Sequence, residues 1–221
     1  MKSSKTSIVI LVVILIIAAI FLILDQFHGT ANTSPTASST TPTSSTSTSS
    51  IDTSSWKSYS NTQPPFSIKY PTDLAFSTST IPTIDGPYLL ALQFQKDIYF
   101  STVLKDEADV IITASSTCSA VEQGPINHGP ETLVLGGKTF IENQISDVAA
   151  GNRYLTITYD TLANNLCYRI TFFNHGANGA GLYLSGTDAI NTADATHDSE
   201  LSNIEAIVTA MVGTFSTTAS Q

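Results

Sequence analysis

Apolar and polar positions alternate along most of the second half of the chain. Alternation with β-branched and aromatic enrichment predicts strands at Phe66–Tyr70, Leu89–Gln95, Val110–Ala114, Thr132–Leu135, Thr139–Asn143, Tyr154–Tyr159 and Cys167–Phe173. Gly136-Gly137 separates two of these runs and has the chemistry of a two-residue hairpin turn. The segment "TLANN" (161–165) separates two others and suits a longer hairpin loop. Residues 115–130 read as loop. Near the C-terminus the period changes. Leu201, Ile204, Ile207, Val208, Met211 and Val212 fall on one face of a helix, with Asp198 placed to cap its start and Gly213 to stop it. Antiparallel strands closed by a terminal helix predict an α+β fold, with the helix packed on one sheet face.

The N-terminal pattern is different in kind. Residues 8–24 are 17 consecutive apolar residues without a charge. At 1.5 Å per residue the run is about 25 Å long, close to what a bilayer core of roughly 30 Å requires. Lys2 and Lys5 precede it and Asp25 follows. The positive-inside bias then leaves residues 1–7 as a cytoplasmic tail, 8–24 as a single transmembrane helix and the rest outside the cell membrane. A cleaved signal peptide is the competing reading, but its apolar core is usually shorter and ends in a small-x-small site, which "DQFHGTA" lacks.

Residues 25–55 form a linker by composition. From Thr30 to Ser55, 19 of 26 residues are Ser or Thr, too few of the rest being apolar to offset the entropy of ordering them. Residues 56–217 are one domain of ordinary size, followed by a short tail, 218–221. The domain holds seven Lys and Arg against sixteen Asp and Glu, a net charge of −9. That balance excludes a basic nucleic-acid footprint and favours solubility.

Cys118 and Cys167 are the two cysteines. Outside the cytoplasm two thiols tend to pair, so a disulfide is expected. It would close a loop of about 50 residues and contribute roughly 4 kcal/mol by chain entropy. Two buried free thiols are the alternative. A catalytic thiol would need His128, His175 or His197 as its base, and neither cysteine carries a protease-type signature.

Other chemistry is weaker. Asp188, Asn191, Asp194, His197, Asp198 and Glu200 offer oxygens for a hard cation but lack EF-hand spacing, so they read as a polar loop entering a helix. The segment 175–186 holds four glycines without a phosphate-binding pattern and reads as a loop after a strand. Its His175 and Asn178, with Asp188 beyond, are the candidate binding residues, since function concentrates on loops. Asp106 and Glu107 in "KDEAD" read as a solvated turn. Ser185 lies in "YLSGT", not in a nucleophile elbow. Trp56, Tyr59, Phe66 and Tyr70 read as residues sealing the first strand onto the core, with a carbohydrate platform as the sharper alternative. Nothing calls for a cofactor.

"WKSYSNTQPPFSIKYP" (56–71) resembles the opening of an uncharacterised family of membrane-anchored bacterial envelope proteins. "GGKTF" (136–140), "GNRYLTITY" (151–159), "CYRITFF" (167–173) and the terminal helix entering "GTF" (213–215) are similar too. The order of apolar segment, Ser/Thr stalk and single domain also resembles that family. The first element is distantly similar to PsbP-like domains, a likeness that implies an antiparallel sheet flanked by helices and no particular activity. The resulting expectation is a membrane-tethered, extracytoplasmic, non-enzymatic module that binds an envelope protein or small ligand. The rival is an extracytoplasmic hydrolase with a non-local site, which a pocket holding a histidine and a carboxylate in hydrogen-bond reach would favour.

Overall fold

The structure is a computed structural model and describes residues 51–77, 88–101, 106–118, 126–178 and 187–217. Its elements run β1 (Lys57–Thr62), β2 (Pro65–Tyr70), β3 (Ala75–Phe76), β4 (Leu90–Gln93), α1 (Lys96–Tyr99), β5 (Glu107–Ser115), β6 (Ile126–Leu135), β7 (Lys138–Ala149), β8 (Asn152–Ala163), β9 (Leu166–Ala177) and α2 (Thr187–Gly213). Seven strands form one sheet in the order β3-β4-β5-β9-β8-β7-β6, and β1-β2 form a separate hairpin. Every pairing is antiparallel.

Tight turns explain why strands dominate. Gly136-Gly137, Ala150-Gly151 and Asn164-Asn165 all have positive φ and join β6 to β9 as successive hairpins. Two left-handed residues in a row match the twist of the flanking strands, and Gly and Asn reach that region at low cost. Gly136 has a second reason to be glycine: a Cβ there would lie 1.8 Å from the Gly213 carbonyl oxygen at the end of α2.

Pairing therefore runs further than alternation alone indicates. β7, β8 and β9 are twelve residues each. The five-residue loop expected at 161–165 shrinks to Asn164-Asn165. His175, expected in a loop, pairs with Glu107 and Tyr154 inside the sheet. The expectation of an α+β, PsbP-like layout with flanking helices is corrected: the described fold is mostly antiparallel β, with one long helix at its C-terminal end and the one-turn α1.

The core forms where α2 and the β1-β2 hairpin cover one sheet face. Ile204, Val208, Met211 and Val212 of α2 meet Phe140, Ile157, Tyr159 and Ile170 of the sheet, all buried. Phe66 stacks on Phe215 at 5.7 Å between ring centres. A bridge between Ser67 and Ser216, with bonds of 2.7 and 2.8 Å, ties the hairpin to the segment after α2. Phe66 and Tyr70 are buried, and Trp56 and Tyr59 pack against the same core.

α2 begins eleven residues before Asp198, so Asp198 is not its cap, and the segment read as a polar loop is helical. Alanines at 189, 193 and 195 carry high helix propensity through a stretch that has little to bury. Cys118 and Cys167 form the disulfide, with sulfurs 2.01 Å and Cα atoms 5.2 Å apart. Among the described residues no helix is long and apolar enough to cross a membrane. The expected transmembrane segment 8–24, most of the linker, Ser185 and the tail 218–221 lie outside the described residues.

Candidate functional site

Alternation along β5 carries backward to the site. Ala108, Val110 and Ile112 point into the core, and Asp106, two residues earlier, continues that face. The carboxylate expected on a solvated turn is instead fully buried. The correction is one of register, because the strand begins at Glu107 and leaves only Glu107 outward, 3.2 Å from Lys96. α2 supplies the partner: His197 lies one turn before Leu201 and two before Ile204, in line with the apolar stripe, and is 1% exposed.

Asp106 Oδ2 faces His197 Nε2 and accepts a 3.0 Å hydrogen bond from Asn174 Nδ2 on β9. Its Oδ1 is buried without a hydrogen-bond partner among the described residues. A Cβ on Gly176 would lie 1.8 Å from that Oδ1, so only glycine admits the carboxylate beside β9. His197 Nδ1 is 3.5 Å from Asp198 Oδ1. Asp198 also accepts a 2.7 Å bond from Arg153 of β8, and Arg153 reaches Asp194 at 3.0 Å. Carboxylates on both sides of the ring raise the His197 pKa, Asp106 most of all, against the opposing effect of burial.

Above this chain of charges lies a groove of about 480 Å³ between the first half of α2 and the ends of β7, β8 and β9. Ser146 and Asp147 line it from β7, Arg153 from β8, Asn174 from β9, and His197 and Glu205 from α2. Burial raises the Glu205 pKa, and the nearby charge of Glu142 adds to the rise.

The sequence-predicted candidates separate. Asn178 lines the groove, its N–H bonded to the Gly151 carbonyl at 2.9 Å. Asp188 sits exposed in the first turn of α2, where a carboxylate complements the helix dipole. His175 stacks on Tyr154 with ring centres 4.6 Å apart, on the sheet face opposite Asn174. The structure does not gather these three into one loop. The residues that do meet, Asp106, Asn174 and His197, carried a signal in the sequence: a carboxylate in phase with β5 and a histidine in phase with the stripe of α2.

The arrangement constrains chemistry. A triad-type base needs one ring nitrogen free for the nucleophile while the other is held by an acid. Both nitrogens of His197 face carboxylates. Both cysteine sulfurs are in the disulfide. Cys118, Asp160 and Cys167 cluster within 4.8 Å. The sulfurs are bonded to each other, and Asp160 accepts two 2.7 Å bonds from Arg169, so that set offers no open ligand group. Compared with known proteins, the chain matches no family model and no curated sequence significantly.

Proposed function

We propose that the protein is a non-enzymatic binding module, tethered to a cell membrane through residues 8–24 and acting outside it, which holds a small polar ligand in the groove beside α2. The observation that carries this reading is the groove with its histidine closed off. A pocket with a histidine and a carboxylate in contact was the geometry that would favour a hydrolase. Here both ring nitrogens of His197 face carboxylates, Nε2 toward Asp106 and Nδ1 toward Asp198, and neither is turned toward a substrate. What the groove offers instead is hydrogen-bonding side chains above an apolar wall of Leu155 and Leu201. The location is supported by the apolar run and by the disulfide, since such bonds persist in oxidising compartments.

The groove lining is net acidic. Asp147, Asp194 and Glu205 outnumber Arg153 and the His197 imidazolium, and the Arg153 charge is already shared by Asp194 and Asp198. It therefore favours neutral and cationic ligands over anions. The test is a thermal-shift and calorimetric screen of the full chain in detergent against neutral polyols, small amines and small carboxylates. Binding by the first two classes, abolished by Ser146→Phe, which fills the groove, is the expected outcome. No binding across the panel, binding that persists in that variant, or His197-dependent hydrolysis of an ester panel overturns the reading.

A further inference from the structure

Before Ile204, His197 is the only residue of α2 whose side chain is buried. Apart from the half-buried Leu201, the first half of the helix is thus held by polar contacts: His197 to Asp106, Arg153 to Asp194 and Asp198, and Glu200 to the Ser101 N–H at 2.8 Å. The second half is held by apolar packing. The contact of His197 with Asp106 is the one among these that is fully buried, and it joins the helix to the sheet at the groove.

Carboxylate oxygens accept hydrogen bonds and have none to give. A ring with a carboxylate at each nitrogen satisfies both only when both nitrogens carry protons. The geometry therefore selects the imidazolium. Among the described residues the charged groups around it are Asp106 from the segment before β5, Asp194, Asp198 and Glu205 from α2, Arg153 from β8 and Asp147 from the groove rim on β7. β9 presents only the neutral Asn174 and Gly176.

We infer that His197 and Asp106 form a proton-dependent latch that holds the first half of α2 as the groove wall and releases it as pH rises. This rests on the groove being the ligand site. On release, the Nδ1 proton leaves to solvent, and the Asp198 contact goes with it. Asp106, whose Oδ1 already lacks a partner among the described residues, becomes a buried carboxylate without a full counter-charge. Water can restore its solvation only if the helix lifts, which withdraws Leu201 and His197 from the groove. The direction of the His197 shift agrees: a pKa raised on folding makes the latch complete below about pH 6.5 and progressively lost as pH passes the folded value.

The experiment is amide hydrogen exchange on the ligand-free full chain in detergent between pH 6 and 9, read as protection factors. Protection at 194–200 is expected to fall about tenfold for each pH unit separating the folded and unfolded His197 pKa values. Protection at 204–212 should stay level. In His197→Gln the first-half protection should be low and flat with pH. A flat wild-type profile, equal loosening of both halves, or an unchanged slope in the variant overturns the latch. Should His197→Gln not fold, NMR titration of the wild-type imidazole decides: its midpoint must coincide with the loss of protection, and a mismatch overturns the proposal. Because no ligand is present, a failed latch and a failed binding site read out separately. Once a groove ligand is identified, its affinity should drop over the same pH range.

Discussion

From Ile204 to Phe215 the chain meets the sheet through Val208, Met211, Val212 and Phe215, all at 2% exposure or less. From Thr187 to Asn203 the same helix meets the same sheet through one buried histidine, the half-buried Leu201 and a row of ion pairs. The difference lies in what each tie responds to. Apolar packing depends on shape and temperature and is nearly indifferent to protons and salt. Ion pairs depend on protonation and screening, and a buried one is costly once either charge is lost. One end of α2 is therefore a permanent part of the core, and the other is an adjustable wall for the groove.

The sharpest way to break that contrast is at the apolar end. Met211→Ala should cost about 2–5 kcal/mol through the cavity it leaves. By urea unfolding the loss should be global and equal at pH 6 and pH 9. A cost below 1 kcal/mol would mean that this half is not core. Next is Gly176→Ala, whose methyl group must displace the Asp106 carboxylate. Overpacking of this kind costs about 1–3 kcal/mol. Hydrogen exchange should show it as selective loosening of 194–200, and uniform loosening would erase the distinction between the halves. Asp106→Asn should cost a similar or smaller amount, because His197 can shed its proton when its counter-charge is removed. Its diagnostic is the loss of the stability decline that the wild type shows as pH rises through the folded His197 pKa. A variant that keeps that decline would assign it to another group. The smallest effect belongs to Arg153→Met. Its two pairs are partly exposed, so about 0.2–1 kcal/mol each is expected, fading in high salt. A salt-independent loss would show that the Arg153 stem, rather than its charge, holds the helix.

Much of this was legible before folding was considered. The stripe from Leu201 to Val212, the Gly136-Gly137 hairpin and the pairing of Cys118 with Cys167 follow from local period, local turn chemistry and compartment. The ends of elements were not legible. Asn174, His175 and Gly176 look like loop residues in isolation, yet they are strand residues because β8 pairs with all three and β5 with the first two. Asp106 looks like surface because its neighbours in sequence are charged, while its neighbours in space are Asn174, Gly176 and His197.

The sequence by itself determined the strand-rich pattern, the apolar face of α2, the acidic balance and which two sulfurs could join. These depend on residues near one another in the chain or on simple totals. Only the tertiary structure decided that a carboxylate ahead of β5 and a histidine 91 positions later share a buried contact. Burying a charge is unfavourable unless a partner arrives from elsewhere, and that partner is supplied by the register of the sheet and the docking of the helix.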